Sequence, residues 1–337
     1  MAWQIIGHAW AVTLLRRGLA TGRGAHAYLF AGPPQVGKTR LALALAQALN
    51  CTQPDSPCGR CPSCLKIERG THPDVRTIEG EGAGGSIKID QVRTLQREAV
   101  LSPYEGRTRV YVLRRMDLAT LEAANSLLKT LEEPPENVVL ILTAVQAELL
   151  PSTVISRCQR LDLRPAPRQV VETALHDRGV PAPKAQLLAR LSGGCVGWAF
   201  HAAQDETVLR QRQRDLEYLI QLLSVDRVER LDFASKASGN LAASHVLLEL
   251  WTTWWRDLLL LSSHGEGYVV NIDRGDELQW MANQSDSAQA WAMLDALQAV
   301  AVQLEANVNP RLALEGYLLK LPRWQPMPGN QTVEKKR

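Results

Sequence analysis

The octapeptide GPPQVGKT, Gly32–Thr39, constrains the fold of this chain more than any other segment. It satisfies G-x-x-x-x-G-K-[ST], a loop whose backbone N–H groups curl around phosphate oxygens. Such a loop needs a buried strand running into it and a helix leaving it. AYLFAG (Ala27–Gly32) supplies the strand, and the Ala/Leu-rich TRLALALAQAL (Thr39–Leu49) supplies the helix. The phosphate site then lies at a helix N-terminus, where the dipole favours anions. Gly32, Pro33, Pro34, Gln35, Val36, Gly37, Lys38 and Thr39 are the candidate nucleotide-binding residues. Lys38 would reach the terminal phosphates, and Thr39 is available to Mg²⁺. The implied ligand is ATP or ADP with Mg²⁺; the alternative is a loop retained without nucleotide. Gln35 stands where many such loops carry Gly, which strains the backbone if φ is positive there.

A P-loop ATPase also needs an apolar strand ending in a carboxylate that holds Mg²⁺ and orients water. Val110–Leu113 (VYVL) is such a strand, yet Arg114 and Arg115 follow it. Two cations neither hold Mg²⁺ nor act as a general base. The sequence predicts a nucleotide-binding module that has lost its own hydrolysis.

Further strands are expected at Val75–Gly80 and Val138–Thr143, with helices at Asp90–Leu101, capped by Asp90, and at Leu121–Glu133. Strands alternating with crossover helices predict an α/β fold with a mostly parallel sheet covered on both faces. EGAGG (Glu81–Gly85) reads as a flexible loop. Beyond Pro151 the strand signal fades. RPAPRQ (Arg164–Gln169) is a Pro-rich joint, and short helices follow at Gln169–Arg178 and Lys184–Leu191. SGGCVGWAF (Ser192–Phe200) is a Gly-rich turn entering a helix. From Val208 onward almost everything is helical, and Trp251, Trp254 and Trp255 form one face of a core helix. With 337 residues, two or three domains are expected: 1–165 with the P-loop, 166–206, and 207–325, followed by a disordered tail, 326–337.

Four of the six cysteines fall within fourteen residues: Cys51, Cys58, Cys61 and Cys64. Their C-x6-C-x2-C-x2-C spacing suits four thiolates on one tetrahedral Zn²⁺, with Pro57, Gly59 and Pro62 making the tight turns. Disulfides are the competing explanation, but nothing marks the chain as secreted. Four sulfur ligands leave no open position, so the zinc is expected to staple an insertion rather than catalyse. The start, MAWQIIGHAW, lacks the basic segment and apolar run of a secretory leader, and no apolar run approaches the ~20 residues of a membrane span. A cytoplasmic chain is expected. Its net charge of +3 makes any nucleic-acid surface a local one.

Glu132-Glu133-Pro134-Pro135 is read as a helix ending before prolines rather than a catalytic carboxylate pair. His26 is read as structural. SRC (Ser156–Cys158) falls after the last expected strand, at an edge from which Arg157 could reach a phosphate on a neighbouring subunit.

Together these residues resemble the bacterial DNA polymerase III clamp-loader subunits, and within them the delta-prime branch. The resemblance rests on IIGHAWA (5–11), HAYLFAGPPQVGKT (26–39), the four cysteines, NSLLKTLEEPPENV (125–138), SRC, SGGCVGWAF and NPRLALEGYLL (309–319), and it spans nearly the whole chain. It implies a RecA-like AAA+ domain with a zinc insertion, a small helical lid and an all-helical collar that assembles a hetero-pentamer with gamma/tau and delta subunits. The ATP-hydrolysing gamma/tau subunits carry an acidic pair at the positions of Arg114 and Arg115, and a nucleotide-sensing arginine where Gly197 falls here. The resemblance therefore implies a stator that supports ATP-dependent loading of the sliding clamp onto primer–template DNA. Arg157 would act as an arginine finger in trans on a gamma/tau site. Arg93, and with it Lys88, are candidates for tracking the DNA backbone, against a solvated helix face. The alternative is an autonomous P-loop ATPase of gamma/tau type.

Overall fold

A computed structural model describes residues 3–54, 56–81, 85–306 and 308–324. The loop expected at Glu81–Gly85 falls partly outside these residues, and the tail 326–337 wholly so. The chain divides into two compact units, Met1–Gly179 with Ser192–Phe200, and Val180–Leu191 with His201–Arg337.

The first unit follows the expected alternation: α1 (Ala9–Ala20), β1 (Ala27–Ala31), α2 (Lys38–Asn50), α3 (Pro62–Glu68), β2 (Val75–Ile78), α4 (Ile89–Ala99), β3 (Arg109–Leu113), α5 (Leu121–Glu132), β4 (Val138–Ala144), α6 (Ser152–Ile155), β5 (Gln159–Asp162) and α7 (Arg168–His176). The five strands form one sheet in the order β2-β3-β4-β1-β5, with every pairing parallel. Because side chains alternate along a strand, β1 to β4 each feed two cores. Tyr28, Phe30, Val110, Val112 and Ile141 pack with Leu41 and Leu45 of α2. Leu29, Tyr111, Leu113, Leu140 and Leu142 pack on the other face with Leu95 of α4 and Leu127 of α5. Parallel strands gather their carboxyl ends along one edge, where α/β sheets bind ligands. The P-loop, Arg114-Arg115 and the end of β4 all leave from that edge.

Two expectations are corrected. β5 was not expected: QRLD has no apolar run, and Leu161 alone among its residues is buried. SRC consequently lies between β4 and β5 rather than after the last strand. Asp90 does not cap α4 but sits in its first turn; the N-cap is Lys88, whose backbone N–H donates to Gln91 Oε1 at 3.0 Å.

α8 (Ala182–Leu191) belongs to the second unit, and α9 (Val196–Gln204) follows the Gly-rich turn. The rest is helical: α10 (Glu206–Ser224), α11 (Arg227–Ala237), α12 (Leu241–Ser262), α13 (Gly275–Ala282), α14 (Ser287–Glu305) and α15 (Pro310–Leu318). Trp251, Trp254 and Trp255 of α12 are fully buried, as their spacing predicted. Trp251 stacks on Tyr317 with ring centroids 5.5 Å apart, and Trp255 Nε1 donates to the Tyr317 hydroxyl at 2.8 Å. Buried Arg230 of α11 donates to the carbonyls of Leu222, Leu318, Leu321 and Pro322, tying α10 and the end of α15 together. No described helix is long and apolar enough to cross a membrane.

Candidate functional site

The P-loop runs from β1 into α2, the placement its sequence predicts. Gly32 has φ +144°, and a Cβ there would lie 2.2 Å from the Leu163 carbonyl oxygen, so only glycine fits. Gln35 has φ +58°, the strained conformation anticipated for a side chain at this position. Gly37 caps α2, and Thr39 stands half-buried in its first turn. Lys38 is almost wholly buried; its Nζ donates to the carbonyls of Gly32 at 2.6 Å and Pro33 at 2.7 Å. Burial pushes its pKa down to about 8; the charge of Asp117 opposes the drop and that of Arg115 adds to it.

Two neighbours hold this loop that motif reading did not identify. Buried His8 meets the Val36 carbonyl through Nε2 at 3.0 Å. From the start of α9, the Gly197 N–H donates to the Gln35 carbonyl at 2.8 Å. A Cβ at position 197 would itself lie 2.8 Å from that oxygen, so a larger side chain must displace the loop.

At the end of β3 the two arginines turn to carboxylates. Arg114 pairs with Glu79 beyond β2. Arg115 is left-handed, φ +55°, with its N–H on Thr143 Oγ1 at 3.2 Å. Its guanidinium grips Asp117 through Nε at 3.2 and 3.3 Å and Nη2 at 3.0 Å. Asp117 also accepts the Val145 N–H at 3.2 Å, so both its oxygens are engaged. Asp117 is the acid that sequence reasoning missed, an acid near Lys38 standing two residues beyond the expected position. Thr143 was missed too; a polar residue closing the apolar run VVLILT was the available signal.

Arg157 follows α6 at the sheet edge. Its Nη2 lies 2.6 Å from Glu132, and Nη1 donates to the Thr153 carbonyl at 2.9 Å. Glu132 closes α5 ahead of the two prolines, as expected, and His26 secures that helix end by meeting the Leu131 carbonyl at 3.0 Å. Lys88 and Arg93 share the N-terminal end of α4, both exposed, with Arg93 3.7 Å from Asp90.

The four cysteines converge. The Sγ atoms of Cys51, Cys58, Cys61 and Cys64 all lie within 4.8 Å of one another, and those of Cys51 and Cys61 are 4.0 Å apart. Tetrahedral zinc with Zn–S near 2.3 Å separates its sulfurs by about 3.8 Å, so the donor set fits. Backbone N–H groups point at sulfur: Gln53 and Cys58 to Cys51 at 3.4 Å, Cys61 to Cys58 at 3.3 Å, Cys64 to Cys61 at 3.5 Å. Burial raises the Cys61 thiol, but hydrogen bonds from Thr52 and Cys64 outweigh it and leave the pKa at about 6. Cys64, fully buried, is held well above the thiol range.

A polar seam joins this cluster to the sheet. Buried His72 meets Ser63 of α3 at 3.1 Å, and its Nδ1 accepts the Asp74 N–H. Asp74 accepts the N–H groups of Tyr104, Glu105 and Gly106 at 2.7–2.9 Å. Burial works against its charge, but these donors and Arg109 hold its carboxyl below the usual range.

The family model for "DNA polymerase III, delta subunit" matches residues 7–167. The chain is 33% identical to DNA polymerase III subunit delta' of Pseudomonas aeruginosa over 90% of its own length and 93% of the relative's. Identity to subunit delta' of Bacillus subtilis is 29%, over 91% and 94%. Subunit tau of Escherichia coli is 37% identical, but only over 57% of this chain and 31% of tau. Full-length likeness to the delta' relatives, against likeness to tau confined to part of each chain, decides between them: this chain belongs to the DNA polymerase III delta' family.

Proposed function

We propose that this chain is the non-hydrolysing stator of a bacterial clamp loader. The carrying observation is at the end of β3, where Arg114 and Arg115 occupy the places of the metal-holding and water-polarising acids. The nearest carboxylate to substitute, Asp117, is engaged by Arg115 and the Val145 N–H. Mg²⁺ would have to break that pair to gain a ligand. The P-loop keeps its N–H cradle and Lys38, so it binds ATP or ADP without splitting it.

In the assembly the chain sits beside a gamma/tau subunit, with delta in the same hetero-pentamer. The all-helical region from about 207 to 325 forms the collar that assembles it, and 166–206 the lid. Arg157 enters the neighbour's ATP site and neutralises charge developing on the transferred phosphate, an effect worth ~10³–10⁵ in other P-loop enzymes. Lys88 and Arg93 face the primer–template backbone, whose phosphates position without specifying sequence. Zn²⁺ on Cys51, Cys58, Cys61 and Cys64 holds the insertion, its coordination closed to substrate.

The test is Arg157→Ala in the complex reconstituted with gamma/tau and delta. DNA-stimulated ATPase and clamp loading should fall in part, because sites between gamma/tau subunits keep their own fingers. Assembly should survive, since a surface side chain contributes little to stability. Lysine should not restore the rate, lacking the planar fork that grips two oxygens. Clamp loading at the wild-type rate under limiting ATP would remove the finger role.

A further inference from the structure

Glu132 is built where a carboxylate needs an answering cation. It is the last residue of α5, at the negative end of the helix dipole, where an anion is disfavoured unless a cation answers it. The backbone leaves it little freedom. His26 fixes the Leu131 carbonyl at 3.0 Å, the Glu133 N–H closes on the Lys129 carbonyl at 3.0 Å, and two prolines end the helix. The cation that answers is Arg157, 2.6 Å away.

The same contact restricts Arg157. Its Nη2 meets Glu132, and its Nη1 donates to the Thr153 carbonyl and, at 3.5 Å, to Ser156 Oγ, leaving Nε–H outside these contacts. An arginine has five donors in a flat fork, so an arginine held this way still offers others in a defined direction. A free arginine would search many rotamers before meeting a phosphate.

We propose that Glu132 is a positioning residue for Arg157, setting the direction in which the guanidinium leaves this chain toward a phosphoryl group on the neighbouring subunit. His26 supports it by fixing the helix end. This rests on the finger role proposed above. Glu132 touches no substrate and acts only through Arg157. Its carboxylate is needed as a hydrogen-bond acceptor at one place, more than as a charge.

The experiment uses the reconstituted complex with sliding clamp and primed DNA, comparing Glu132→Ala, Glu132→Gln, Arg157→Ala and the Glu132→Ala/Arg157→Ala double variant. Glu132→Ala should lower the kcat of DNA-stimulated ATP hydrolysis about two- to fivefold with KM for ATP unchanged, as expected when a transition-state contact is misaligned. Glu132→Gln keeps the acceptor and should recover most of the rate. In the Arg157→Ala background, Glu132→Ala should change nothing further, because its route to the site is gone. If Arg157→Ala slows the complex while both Glu132 variants run at the wild-type rate, the positioning role is overturned and the finger stands. The positioning role also fails if Glu132→Ala costs as much without Arg157 as with it. If Arg157→Ala itself has no effect, the finger reading fails and takes this inference with it. Should Glu132→Ala fail to assemble, Glu132→Gln against Glu132→Asp decides: aspartate, one methylene short of Arg157, should be the slower.

Discussion

The cysteine cluster and the P-loop are both local motifs, and they differ in what surrounds them. Around the four sulfurs everything agrees: spacing, convergence within 4.8 Å and N–H groups aimed at sulfur all suit one metal ion. Around the P-loop the neighbours disagree with the motif. Lys38 and the glycines are in place, but the acids are replaced, Asp117 is held by Arg115, and Gly197 presses its backbone on Gln35. A closed metal site carries its chemistry in its own ligands, so its sequence is sufficient. A catalytic P-loop borrows its chemistry from distant strands, so an intact loop says little about turnover.

Removing the metal is the hardest blow to one side of this contrast. One zinc per chain is expected in freshly purified, reduced protein, contributing ~10–16 kcal/mol of apparent binding energy, as structural zinc sites do. Cys61→Ser or a strong chelator should abolish amide-exchange protection across 51–68 while β1, β3 and β4 keep theirs. Metal analysis finding none would contradict the closed-site description.

The seam between the cysteine cluster and the sheet gives a smaller effect. Asp74→Asn leaves three backbone donors facing a weaker acceptor and should cost about 2–3 kcal/mol in urea unfolding at neutral pH. The folded carboxyl titrates below the usual aspartate range, so its contribution is present above that range and lost as pH falls through the folded value. Wild type should therefore lose stability on acidification more steeply than the variant. Parallel acid limbs would mean that Asp74 does not carry this charge.

How far the sequence reached follows the same division. The P-loop, the four apolar strands, the cysteine cluster and the tryptophan face are contiguous or periodic signals and were legible. β5 was not, because its residues are mostly exposed and polar, and its place depends on pairing with β1. Asp117 was hidden because its partner from outside its own turn, Val145, is 28 residues away. The Glu132–Arg157 pair joins two motifs, LEEPP and SRC, that each looked self-sufficient.

A subtler effect concerns Lys38. With its pKa at about 8, the free lysine is mostly neutral at pH 9, whereas a bound phosphate demands the cation. Nucleotide binding should take up protons, more at pH 9 than at pH 7. Calorimetry in buffers of different ionisation enthalpy reads this directly. Binding heats independent of buffer at pH 9 would show that Lys38 does not meet the phosphates.

The proposed stator carries a loop that would hold nucleotide and not split it. Radiolabelled ATP incubated with the isolated chain and Mg²⁺, alongside Lys38→Ala, separates binding from turnover in one preparation. The prediction is ATP retained by the wild-type chain, lost from Lys38→Ala, and recovered intact from the bound fraction. Steady ADP formation by the wild-type chain that Lys38→Ala abolishes would contradict it and make this subunit a motor in its own right.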